Sequence, residues 1–114
     1  MPPFTMRGKT FNNPVELALD VIGGKWKMPI LWRLDDRTYR YNELQRSLGA
    51  ISPKMLTQQL RELEDDGLVH REVHPEVPPR VEYSLTGRGR GAMPVVRALR
   101  DWGMAFRGEE EGES

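Results

Sequence analysis

The sequence predicts a mainly α domain completed by one small β-hairpin, an α+β fold in which the helices dominate. Three observations carry this. Four segments before residue 67 place apolar residues at helical spacing, 68–85 alternates in steps of two around a proline-rich break, and a broad helical stripe closes the chain.

Pro14 suits the first turn of a helix, and "PVELALDVI" sets Val15, Ala18, Leu19 and Ile22 at helical spacing before Gly23-Gly24 ends it. In "KWKMPILWRL" the residues Trp26, Ile30 and Leu34 share a face, and Pro29 is tolerated only close to the helix start. "TYRYNELQRSLG" gives a short third helix lined by Tyr41, Leu44 and Leu48 and stopped at Gly49. After Gly49-Ala50-Ile51, Ser52 is a good N-cap and Pro53 a good first helical residue, so a fourth helix covers about 52–66. "LVHREVHPEVPPRVEYSLT" sets Val69, Arg71 and Val73 against His70, Glu72 and His74. It then sets Val81, Tyr83 and Leu85 against Glu82 and Ser84, which is a two-stranded ribbon over about 68–85 with a stiff "PEVPP" tip. Thr86 caps a last helix whose stripe is Ala92, Val95, Val96, Leu99, Trp102 and Phe106. The expected organisation is a flexible arm over 1–12, one domain over 13–106, and a disordered acidic tail over 107–114.

Composition closes several functional classes. The chain has 114 residues, enough for one domain with one modest core. It contains no cysteine, so it offers no disulfide, thiolate nucleophile or thiolate metal site. No apolar run approaches the ~20 residues of a membrane span, and the opening "MPPFTMRGKTFNNP" lacks the apolar block of a signal peptide, so a cytoplasmic protein without a membrane partner is expected. The formal net charge is zero, yet Glu109, Glu110, Glu111 and Glu113 lie in the last six residues. Positions 1 to 108 therefore hold 17 basic against 13 acidic residues and are mildly basic.

The fourth helix carries its charges the wrong way round. A helix N-terminus favours acids and a C-terminus favours bases, but Lys54 and Arg61 occupy the front with no acid before Glu62, while Glu64, Asp65 and Asp66 crowd the back. At 100° per residue Leu56, Leu60 and Leu63 face one way and Lys54, Thr57, Gln58 and Arg61 the other. That second face offers amide, hydroxyl and cationic groups to base edges and phosphates. A helix, a tight turn and a second helix with an acid-free polar front is a helix-turn-helix arrangement, and the ribbon supplies a wing. Expected base contacts come from Met55, Thr57 and Gln58, with Lys54 and Arg61 reading guanine or holding phosphate. Ser52 caps its helix beside a phosphate, His74 at the wing tip touches phosphate, and Arg80 reaches the backbone or minor groove. Lys25, Lys27, Arg37 and Arg40 are secondary phosphate candidates.

The runs "NPVELALDVIGGKWKMPILWRL", "RYNELQRSLGAISPKMLTQQLRELEDDGLVHREVHPEVPPRVEYSLTGRGR" and "ALRDWG" resemble the HxlR family of winged helix-turn-helix bacterial transcription regulators. The resemblance spans roughly Asn13 to Trp102. It implies a homodimer on double-stranded DNA with an inverted-repeat operator, joined largely through the first and last helices. Val15, Leu19, Val96, Leu99, Trp102 and Phe106 are the expected contacts. The terminal stripe agrees, since Trp102 and Phe106 on a small domain need cover. Many members carry a cysteine before the proline that opens helix one; here Asn13 precedes Pro14, so no thiol sensor is expected. The glycines of "TGRGRG" soften the start of the last helix.

Other readings are weaker. Gly87-Arg88-Gly89-Arg90-Gly91-Ala92 fits G-x-G-x-x-A, but no parallel strand follows it, so no dinucleotide cofactor is expected. His70 and His74 lie four strand steps apart, about 13 Å, too far to share a metal. No Ser/His/Asp set or clustered carboxylate pair supports an enzyme. A protein-interaction module or a ligand sensor without specific DNA binding is the alternative, the latter with a small-molecule effector in a pocket among Trp26, Trp32, Met93, Trp102 and Met104.

Overall fold

The structure, a computed structural model, describes residues 2–112. Its elements are β1 (Phe4–Met6), β2 (Lys9–Phe11), α1 (Pro14–Ile22), α2 (Lys27–Asp36), β3 (Tyr39–Arg40), α3 (Tyr41–Leu48), α4 (Pro53–Asp65), β4 (Val69–His74), β5 (Arg80–Leu85) and α5 (Gly87–Gly112). The helices start where local chemistry satisfies their free N–H groups. Asn13 Oδ1 accepts from Glu16 N at 3.0 Å, Ser52 Oγ from Met55 N at 3.1 Å, and Thr86 Oγ1 from Gly89 N at 3.0 Å. Pro29 sits in the first turn of α2, where it removes no needed bond.

The end of α4 is a Schellman motif. Gly67 takes a φ of 77°, its N–H reaches Glu64 O at 3.0 Å, and Leu68 N reaches Leu63 O at 2.9 Å. Leu63 and Leu68 are both buried, so the turn that ends the helix also feeds the core. That core is built on Ile30 and Leu31 of α2, Leu44 of α3, Leu56, Leu60 and Leu63 of α4, and Met93 of α5. Tyr83 and Leu85 close it from the sheet.

Four features differ from the sequence expectations. The arm over 1–12 contains a hairpin, with Phe4, Thr5 and Met6 paired to Phe11, Thr10 and Lys9. Arg7 and Gly8 both have positive φ at its turn, 57° and 74°, the geometry of a two-residue hairpin turn made here without the usual Asn-Gly signal. Phe11 is buried against α1, and Arg7 bonds Asp20 at 2.6 Å and Asp66 at 2.8 Å, so long-range contacts hold the segment. Secondly, Tyr39 and Arg40, just ahead of the third helix, pair with Tyr83 and Glu82 and make the sheet three-stranded, in the order β3-β5-β4. Thirdly, α5 continues through the acidic segment to Gly112, helped by an i,i+4 contact of Arg107 with Glu111 at 3.0 Å. The remainder of the expected tail, Glu113 and Ser114, lies outside the described residues. Finally, the start of α5 is close-packed, because a Cβ on Gly89 would stand 2.2 Å from Leu68 O.

Candidate nucleic-acid interface

The turn between α3 and α4 is made by Gly49, at a φ of 77°, and by Ile51, which is buried and pins the link to the core. With Leu56, Leu60 and Leu63 inward, α4 turns Lys54, Thr57, Gln58 and Arg61 outward, as the helical wheel requires. These four line one shallow depression with Pro53. Lys54, Gln58 and Arg61 are exposed and form no ion pair or side-chain hydrogen bond among the described residues. No acid occupies the first turn of α4.

Thr57 is held from the side. The Tyr41 hydroxyl donates to Pro53 O at 3.0 Å and also lies 3.0 Å from Thr57 Oγ1. A hydroxyl has one proton, so with Tyr41 committed to the carbonyl, Thr57 is the donor in the second bond. Thr57 therefore presents only lone pairs outward.

Met55 does not join this front. It is half-buried, packs against the core and receives Gln59 Nε2 at its sulfur at 3.4 Å. Ser52 is occupied as the N-cap. On the wing, His74 and Arg80 stand opposite each other in register, half-buried among Glu72, Glu76 and Glu82 rather than free at the tip. Lys27, a secondary phosphate candidate, is buried with its Nζ 3.8 Å from Glu62. Arg37 stacks on Tyr39 at 3.8 Å, Lys25 lies over Trp26 at 5.0 Å, and the Arg40 backbone N–H donates to Glu43 at 2.8 Å.

Arg71 is a cation that the sequence pattern hides. Alternation groups it with Val69 and Val73, yet Val69 alone of the three is buried. Arg71 shares a concave surface with Thr57, Arg61, Glu64 and Tyr83, so a second guanidinium stands beside the front of α4. Tyr83 lies beneath it; burial pushes its phenol up, against the opposing pull of Arg71. A cation in the nominally apolar row of the ribbon was the one signal available.

Elsewhere on the surface, α1 and α5 leave apolar groups uncovered. Val15 and Leu19 are 67% and 57% exposed, and Trp102 and Phe106, stacked at 5.3 Å, are 68% and 50% exposed. Leu99 is also exposed, whereas Val96 is buried in the domain's own core and is not available to a partner. Trp26 and Trp32 are half-buried and Met93 is fully buried, while Trp102 and Met104 project outward. No helix among the described residues is long and apolar enough to cross a membrane.

Comparison with known proteins places this geometry. Residues 21–111 match the family described as HxlR-like helix-turn-helix. YdeP of Bacillus subtilis, an uncharacterized HTH-type transcriptional regulator, is 52% identical over 94 residues, covering 82% of this chain and 73% of that protein. The redox regulator HypR in its reduced form superposes with a TM-score of 0.82 at 51% identity, covering 88% of this chain and 99% of the other. HypR in its oxidized form gives 0.77 at 53%, covering 82% and 96%. With the helix-turn-helix, the wing and these matches in agreement, the chain belongs to the HxlR-like helix-turn-helix family and is a transcriptional regulator with a helix-turn-helix DNA-binding domain.

Proposed function

We propose that the protein acts as a homodimer on an inverted-repeat operator, with the front of α4 reading bases in the major groove and the wing on the backbone or minor groove. The observation that carries this reading is the outward row Lys54, Gln58 and Arg61, exposed and uncommitted at an acid-free helix start. Gln58 suits adenine, which its amide can meet at both N6 and N7, and Arg61 suits guanine or phosphate. Arg71 adds phosphate grip next to Arg61. Thr57, presenting lone pairs only, suits the amino group of adenine or cytosine. Uncovered apolar residues on α1 and α5 support the dimer, and a two-fold axis then gives half-sites whose centres lie ~10 base pairs, or a multiple, apart. The chain has no cysteine, and control without thiol chemistry follows, in contrast to HypR, which is named a redox regulator.

Selection of bound fragments from random duplexes, repeated with Gln58→Ala and Arg71→Ala, tests the reading. Gln58→Ala should relax one position in each half-site at about 1–3 kcal/mol, whereas Arg71→Ala should weaken all sequences alike and flatten the salt dependence. Equal losses on specific and random DNA in both variants would show that α4 does not read bases through this face.

A further inference from the structure

We propose that Glu72, His74 and Glu82 form a wing site for one divalent transition-metal ion of the zinc class. Counting along one strand separates His70 from His74, but the partners of His74 come from its strand neighbour and from across the ribbon. Glu72 and His74 are two residues apart and share a face of β4, and Glu72 stands directly opposite Glu82 in the antiparallel register. One imidazole nitrogen and two carboxylate oxygens thereby fall within 4.8 Å of one another. His74 Nε2 lies 2.5 Å from Glu82 Oε1 and 3.9 Å from Glu72 Oε2.

Two features favour a cation there. Directly opposed like charges destabilise a strand pair, yet Glu72 and Glu82 face each other with the imidazole at their side. In addition, His74 Nε2 is cut off from solvent and, although 2.5 Å from Glu82 Oε1, makes no contact of hydrogen-bond geometry. Among the described residues only Arg80 Nε shares that condition, and it borders the same cluster, 3.9 Å from Glu82 Oε1. Arg80 makes its shorter ion pair elsewhere, to Glu76 at 3.2 Å, so it need not leave the wing for an ion to enter. A mixed imidazole and carboxylate set favours zinc, nickel or cobalt over magnesium and calcium, which prefer oxygen ligands throughout. Three protein ligands leave a position for water.

The test uses the full chain without an affinity tag, freed of metal by chelator and titrated with zinc chloride at neutral pH. Calorimetry should show one ion per chain, and NMR should show the His74 ring resonances shifting or broadening while those of His70 stay in place. Magnesium should leave both histidines unchanged. His74→Asn and Glu82→Gln should each weaken zinc binding at least tenfold, and His70→Asn should have no effect. The proposal is overturned if binding is not saturable, if the His70 ring responds in place of His74, or if His74→Asn binds as the wild type does. The wild-type spectrum decides the matter even if a variant folds poorly, and no arm of the test depends on DNA.

Discussion

The Tyr41 hydroxyl has one proton and two neighbours, and under the proposed reading that count determines what Thr57 offers to a base. With Tyr41→Phe the clamp across the α3–α4 turn is lost, and the Thr57 proton becomes available to acceptors outside. Loss of one net hydrogen bond should lower stability by about 1 kcal/mol in urea denaturation. Binding-site selection should show keto-bearing bases newly tolerated at the Thr57 position. Wild-type base preference in the phenylalanine variant would mean that the clamp does not set the hydroxyl's polarity. Two glycines of α5 make a second pair of residue-scale tests. Gly89→Ala drives a methyl against the Leu68 carbonyl and should cost about 1–3 kcal/mol. Gly91→Ala meets nothing within 4 Å and should stabilise by up to about 1 kcal/mol through helix propensity. Thermal unfolding of the two variants should therefore shift in opposite directions.

The reversed charges of α4 are resolved by other elements. No base lies in its last turn, but Arg7 of the β1–β2 hairpin bonds the Asp66 carboxylate, Arg88 of α5 donates to the Asp66 carbonyl at 3.1 Å, and Lys27 of α2 faces Glu62. Cations that local sequence would place within the helix arrive from three distant segments. The acids at its back thus serve as anchors, and the front remains free of them. Asp20 is the hub of the hairpin clasp. Hydrogen bonds from Lys9 and then Arg7 hold its carboxyl below the ordinary aspartate range. A depressed carboxyl contributes stability above its unfolded pKa, and that contribution is lost as pH falls through the folded value. Protection factors for amides in residues 4–11 should therefore fall in acid before the core opens. Asp20→Asn should remove that acid step and leave the hairpin less protected at neutral pH.

As a whole the molecule is more extended than one domain of its size. Its radius of gyration is 16.3 Å, against the ~13 Å of a compact chain of this length. The excess fits the 26-residue α5, whose last half carries no buried residue. Trp102→Glu should consequently yield a folded monomer in light scattering, since the side chain is 68% exposed within the single chain. A dimer that persists in this variant would place the interface elsewhere. Because no thiol is present, diamide should leave operator affinity unchanged at fixed salt. Release of DNA by diamide with recovery on reduction would refute thiol-independent control.

Helix positions, the α3–turn–α4 unit and the inward leucines were legible in the sequence, because caps, prolines, glycines and a 3.6-residue period act over a few residues. The outward placement of Lys54, Thr57, Gln58 and Arg61 followed from the same period. Contacts between distant segments were not legible, since spacing along one strand or helix carries no register for its neighbour. The Asp66 anchor, the burial of Lys27 and Val96, the withdrawal of Met55 and the arrival of Arg71 beside Arg61 all belong to that class. The wing cluster is the plainest case. His74 meets its carboxylates through an antiparallel register that brings Glu72 and Glu82 face to face, ten positions apart in sequence and adjacent only once the ribbon is closed.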